Sequence, residues 1–202
     1  MEQQQAAFLI FVMVTTFTPG PNNVSSANLA VLYGFRRTHL YRLGIFAGFA
    51  LLMLLCALVS ERVMQYFPTA EVYLRYFGAA YIVYLALGTL RSSYRLDERS
   101  TEVPRMPFVK GMLLQLLNPK VLVYGITVYS TYLIARIKAV WMLPISALIL
   151  AVLALCSISL WALAGSAIGR FASRRPVRLV LNGVLSLMLL FSAYQLSGLG
   201  GV

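Results

Sequence analysis

The chain has 202 residues, 60% hydrophobic and 11% charged, with a mean hydropathy of +0.79. Soluble domains carry about 25% charged residues, so this composition cannot dress a globular surface and indicates a polytopic membrane protein. The net charge of +11 sits between apolar runs rather than on one polar face, which sets nucleic-acid binding aside.

Met1–Gln5 lacks the basic region of a secretory signal, so the first apolar run is expected to remain in the mature protein. Six spans are expected, at about 6–34, 43–60, 72–90, 108–134, 139–165 and 179–198. No charged residue falls in 3–35, 139–169 or 179–202, and each stretch exceeds the roughly 20 residues that cross a hydrocarbon core.

The first span is interrupted by Thr18-Pro19-Gly20-Pro21-Asn22-Asn23. Proline removes a backbone donor and breaks a helix. Lipid cannot satisfy the freed groups, so such a break needs protein or water around it. Asn22, Ser25 and Ser26 follow on one helix face. The second span carries Cys56 and Gly44-x-x-x-Gly48, and the third carries Arg75 near one end, placed to snorkel. A basic, polar stretch at 99–107, with Pro104 and Pro107, separates a first half (1–98) from a second (108–202).

The fourth span is broken in turn, at Asn118-Pro119-Lys120. Asn118 suits an N-cap and Pro119 the first position of a new helix. Gln115 lies one turn before the break, and Tyr124, Thr127 and Ser130 lie after it. The fifth span holds Cys156, Trp161 and Gly165-x-x-x-Gly169. Both glycine spacings allow close helix approach, within the chain or in a homodimer. The cysteines read as buried hydrophobes without metal-ligand spacing.

Three inter-span loops hold twelve Lys and Arg residues, among them Arg36, Arg37, Arg42 and Lys110, against four on the other side. Positive charge accumulates on the cytoplasmic side, which predicts outward-facing termini. Three spans per half then place the second half upside down. The fold expected is an all-α membrane protein of six helices in two inverted three-helix repeats, helices 1 and 4 broken.

Paired breaks in two halves point to a transporter's central site. The expected substrate-binding set is Pro19, Gly20, Pro21, Asn22, Asn23, Ser26, Gln115, Asn118, Pro119, Lys120 and Tyr124. Restarted helices aim N–H groups at the break, Lys120 adds a cation, and together these suit a carboxylate. All six acidic residues (Glu2, Glu61, Glu71, Asp97, Glu98, Glu102) fall outside the apolar cores, and no paired carboxylates or HExxH motif appear. An intramembrane enzyme, a resident metal and a cofactor are therefore not expected, and a cation carrier is disfavoured.

The early Pro19-Gly20-Pro21-Asn22, the later Asn118-Pro119-Lys120 and the third-span Gly78-Ala79-Ala80-Tyr81-Ile82-Val83-Tyr84-Leu85 resemble the LysE/RhtB family of bacterial amino-acid exporters over nearly the whole chain. That resemblance implies efflux of small amino acids across the bacterial inner membrane. Cysteine- or O-acetylserine-like cargo is the first expectation; homoserine, threonine or a basic amino acid, or a membrane subunit without transport, are the alternatives.

Overall fold

The computed structural model describes residues 2–66, 70–92, 108–133, 137, 139–169 and 175–198. Among these no strand occurs and nearly every residue is helical. The helices are α1 (Glu2–Phe17), α2 (Pro21–Tyr33), α3 (His39–Tyr66), α4 (Ala70–Ser92), α5 (Phe108–Leu116), α6 (Pro119–Thr127), α7 (Met142–Gly169) and α8 (Arg175–Ser197). A 3-10 turn (Arg36–Thr38) leads into α3, and α6 runs on into a π-helical turn (Val128–Leu133). The 99–107 linker and the basic residues Arg95, Arg99, Arg105, Arg136, Lys138, Arg170 and Arg174 lie outside the described residues.

Among the described residues, three segments are long and apolar enough to cross a membrane: Arg36–Val59, Met142–Gly169 and Leu179–Ser197. The pair α5 and α6, bent by 58°, makes a fourth when taken as one broken span. Six were expected. α1 and α2 have 16 and 13 residues, each short of the roughly 20 a single crossing needs. α4 has 23 residues, but Arg75 and the tyrosines at 73, 76, 81 and 84 lower its hydropathy. The helices leave many apolar side chains exposed, Leu9, Phe77, Leu148 and Leu187 among them, as a hydrocarbon surround permits.

Glycine decides how the helices meet. A Cβ on Gly44 of α3 would stand 2.0 Å from the Phe108 carbonyl oxygen of α5, and one on Gly111 of α5 would stand 2.0 Å from that of Tyr41. On α7, a Cβ on Gly165 would lie 2.2 Å from Ala27 O of α2, and one on Gly169 2.6 Å from Val31 O. Backbone therefore packs on backbone along α3–α5 and α2–α7, and both glycine spacings are used inside the chain. α4 and α8 form a separate pair around Ile82, Ala86, Leu185 and Leu189. Ser186 Oγ donates to Ala86 O at 3.0 Å across it.

Arg42 differs from its reading as a loop cation. It lies inside α3, 6% exposed, because the helix begins at His39. Its guanidinium donates to Ser159 Oγ at 3.0 Å and Phe35 O at 3.1 Å, and stands 3.7 Å from the centre of the Phe35 ring. One residue thus ties the end of α2 to α3 and α7.

Candidate functional site

The breaks end α1 at Phe17 and α5 at Leu116, and restart the chain at Pro21 and Pro119. Proline opens both new helices because the first helical position has no use for its missing N–H. The two starts are satisfied differently. Asn118 caps α6, its side-chain oxygen accepting from Lys120 N at 3.1 Å. Gly20 precedes α2 with no side chain to cap it, so the first-turn N–H groups of α2 are the free helix N-terminus of the pair.

Three amides join the breaks. Asn118 Nδ2 donates to Asn22 Oδ1 at 3.0 Å, and Asn22 Nδ2 donates to Gln115 Oε1. All three residues are buried, where an unmade hydrogen bond costs about 1–3 kcal/mol. Gln115 Nε2 and Ser26 Oγ have no partner in the structure.

The end of α1 is held just as closely. Asn23 Nδ2 donates to Thr16 O at 2.9 Å and Thr18 O at 2.8 Å, and Trp161 Nε1 donates to Phe17 O at 3.2 Å. Ser157 Oγ lies 2.9 Å from Thr16 O and 3.1 Å from Asn23 Oδ1, its one hydrogen shared between them. Lys120 Nζ completes the set, donating to Pro19 O at 3.1 Å and to Thr18 Oγ1 at 3.3 Å. A cation at a helix C-terminus meets the negative end of the macrodipole. The Lys120 stem lies across Gly20, where a Cβ would meet Nζ at 3.2 Å and Cδ at 3.3 Å.

These groups enclose a cavity of about 40 Å³ lined by Thr16, Thr18, Asn22, Asn23, Asn118 and Lys120, with Tyr124 alongside. That is room for a water or so, since one water takes about 30 Å³ in the liquid. The Tyr124 hydroxyl is buried next to Thr16 but makes no well-formed hydrogen bond. Its ring stacks on Phe11 with centroids 5.9 Å apart and tilts against Phe49 at 6.1 Å.

Two larger clefts flank this centre. One, about 490 Å³, is bounded by α1, α6, α8 and the start of α4, and shares Thr15, Thr18, Lys120 and Tyr124 with the cavity. The other, about 520 Å³, is bounded by α2, α5, α3 and the α4–α8 pair. Eight residues of each lining follow one register. Phe11, Val14, Thr15 and Thr18 on α1 and beyond have counterparts in Lys110, Leu113, Leu114 and Leu117, each 99 positions further on. The same step takes Pro21, Val24, Ser25 and Asn28 to Lys120, Val123, Tyr124 and Thr127.

Nine of the eleven residues singled out from sequence meet at this centre, though in several ways. Gly20, Pro21, Asn22, Asn23, Asn118, Lys120 and Tyr124 line the cavity. Pro19 offers its carbonyl, Gln115 reaches the cavity through Asn22, and Pro119 packs on Gly78, where a Cβ would be 2.8 Å away. Ser26 is fully buried a turn further along α2. Sequence reasoning missed Thr15, Thr16, Thr18 and Ser157. The hydroxyl run immediately before Pro19 was the available signal for the first three. Among the described residues no group of His, Cys, Asp or Glu is placed to hold a metal ion.

A family model described as LysE type translocator matches residues 13–198. The chain belongs to the LysE type translocator family. It is accordingly a transporter and not an enzyme. It is 34% identical over 192 residues, 95% of this chain and 96% of theirs, to the cysteine/O-acetylserine efflux proteins of Escherichia coli K12 and Escherichia coli O1:K1. The cysteine/O-acetylserine efflux protein of Shigella flexneri serotype 5b matches to the same extent. No solved structure is significantly similar.

Proposed function

We propose that this translocator exports small zwitterionic amino acids of the cysteine and O-acetylserine kind across the bacterial inner membrane, by alternating access around the paired breaks. The observation that carries the reading is the meeting of Lys120, the uncapped start of α2 and the end of α1 at one small polar cavity. The likeness to cysteine/O-acetylserine efflux proteins over 95% of the chain supports the cargo.

A zwitterion needs a positive partner and a negative one. The free N–H groups of α2 and the Lys120 ammonium receive its carboxylate. The carbonyls at the end of α1 and the Asn22 and Asn23 side-chain oxygens receive its ammonium. In the empty site the Lys120 ammonium rests on Pro19 O. On loading it turns to the carboxylate, and the substrate's ammonium takes over the carbonyls it leaves. Substrate and lysine thus exchange partners without leaving a buried charge bare.

The six-span reading, in two inverted halves (1–98 and 108–202) with both termini on the periplasmic side, belongs to this proposal. The constant step of 99 residues between the linings of the two clefts supports it, because inverted repeats generate matching cavities on opposite sides. A central space too small for an amino acid, between two open clefts, is the geometry of a site that must be reshaped to load.

The test is transport by the purified protein in liposomes. Saturable efflux of radiolabelled O-acetylserine, competed by cysteine but not by lysine or leucine, is the expected result. Homoserine, threonine or lysine as the preferred cargo would replace the substrate assignment, and an absence of flux for every amino acid would end the reading.

A further inference from the structure

The surroundings of the centre give a cargo's side chain one direction in which to extend. The central cavity shares Thr15, Thr18, Lys120 and Tyr124 with the 490 Å³ cleft. With the 520 Å³ cleft it shares Pro21 alone among the described residues. Two walls of that second cleft, α2 and α5, are also tied together by the hydrogen bond of Asn22 to Gln115. A zwitterion whose carboxylate is held at Lys120 and the start of α2 therefore points its side chain toward the 490 Å³ cleft, past Tyr124.

Tyr124 meets that side chain with an unused group. The residue is 4% exposed, and its hydroxyl has no hydrogen-bond partner among the described residues, Thr16 lying beside it short of bonding geometry. Neighbouring hydroxyls are satisfied: Thr127 donates to Val123 O at 2.9 Å, and Thr18 to Thr15 O at 3.2 Å. The Tyr124 ring is held between Phe11 and Phe49, so the hydroxyl is not free to swing toward a partner. A buried hydroxyl left unpaired costs stability, and native proteins hold few such groups. Ser192 of α8 is also buried, partnerless and on the cleft wall, but Tyr124 is the one that borders the central cavity as well.

We infer that the Tyr124 hydroxyl reads the cargo's side chain, donating to a hydrogen-bond acceptor there, which in O-acetylserine is the ester carbonyl. The inference rests on the transport reading above and gives that site its side-chain specificity: small neutral amino acids that carry an acceptor beyond the β-carbon. Because the hydroxyl is already out of water in the empty protein, its bond to the cargo has no protein desolvation to offset. Phe11, Val14 and Val123 supply apolar wall for the acetyl methyl group. An apolar side chain of equal size finds the same wall but leaves the hydroxyl unpaired, and a site built around a hydrogen bond discriminates against such an analogue.

Y124F removes the hydroxyl and keeps the ring. Half-saturation is read in proteoliposomes for radiolabelled O-acetylserine, alongside inhibition by homoleucine, which has the same side-chain shape without polar atoms. The wild type prefers O-acetylserine. In Y124F its half-saturation rises about tenfold, the scale of one hydrogen bond, while homoleucine inhibits as before. Thermal unfolding of the empty proteins in detergent is the second readout. Y124F melts no lower than the wild type, and up to about 4 °C higher, because an unpaired buried hydroxyl has gone.

An equal loss of affinity for both ligands, or a lower melting temperature for empty Y124F, would mean that the hydroxyl serves the fold and would overturn the inference. So would an unchanged half-saturation for O-acetylserine. Should Y124F fail to fold, homoleucine that competes as well as O-acetylserine in the wild-type protein would overturn it by itself. A wild-type protein that moves no O-acetylserine refutes the transport reading instead, so the two failures are distinguishable.

Discussion

Lys120 Nζ donates to the carbonyl oxygen of Pro19 at 3.1 Å, across 101 residues of sequence. The cation that follows one helix break is therefore seated on the backbone freed by the other. Pro21 has no N–H to give Phe17 O, which Trp161 Nε1 serves instead, and Pro19 O, just outside α2, takes its donor from a flexible ammonium arriving from α6. The bond stabilises the empty site, and its position makes the same group available to a carboxylate in the cavity.

Replacing Lys120 with Met keeps the length of the stem and removes the charge. Transport by K120M falls at least about tenfold, since the substrate loses its one central cation. Stability falls by only about 0.3–1 kcal/mol, the scale of a charge at a helix terminus. Flux assays in proteoliposomes and thermal unfolding in detergent separate the two effects. Flux at the wild-type level in a folded K120M protein would leave Lys120 with a capping role alone.

Asn118 has two jobs that substitutions can pull apart. Its oxygen caps α6 and its amide holds Asn22. Serine keeps the first and is too short for the second. N118S therefore costs about 1–2 kcal/mol for the unpaired Asn22 oxygen, and N118A costs about 1 kcal/mol more because the cap goes too. Equal melting temperatures for the two variants would contradict the division of roles.

The proline breaks were legible in the sequence because their cause is local. A missing N–H and a ring that clashes with the preceding turn end a helix whatever surrounds it, and both α2 and α6 begin at the proline expected. What the side chains do there was less legible. Asn22 and Asn118 are 96 residues apart, and nothing in either segment states that they bond. Thr16 and Thr18 act largely through backbone carbonyls, which carry no residue-specific signal. Arg42 was misplaced for a related reason. An arginine near the end of an apolar run reads as an interfacial charge, and only packing shows that this one is buried on Phe35. Span counting helix by helix is local in the same way, because short half-helices and a tyrosine-rich α4 do not meet a hydropathy criterion one by one.

Arg42 offers a test of buried guanidinium geometry. It forks between Ser159 Oγ and Phe35 O while stacking on the Phe35 ring. Lysine keeps the charge but neither the fork nor the flat face. R42K is expected to lose about 1–2 kcal/mol, the scale of a desolvated cation–π contact and one hydrogen bond. R42M loses more, because both guanidinium hydrogen bonds and the cation on the Phe35 ring then go together. Thermal unfolding that ranks R42K level with wild type would show that charge alone, and not shape, holds the α2–α3–α7 junction.

Two glycines in the second half should respond oppositely to the same change. A Cβ on Gly165 would stand 2.2 Å from Ala27 O, which belongs to backbone and cannot swing away, whereas one on Gly183 would have nothing within 4 Å. G165A must push α2 and α7 apart, and such overpacking costs about 1–3 kcal/mol. G183A adds a helix-favouring residue in open space and gains about 0.5–1 kcal/mol. The separation of α2 from α7 also moves Ser157 away from Thr16 O, so G165A loosens the end of α1 beside the cavity. Its transport should therefore fall further than its melting temperature alone predicts, while G183A keeps wild-type flux. A G165A protein as stable and as active as G183A would mean that α2 and α7 do not pack backbone to backbone at Gly165.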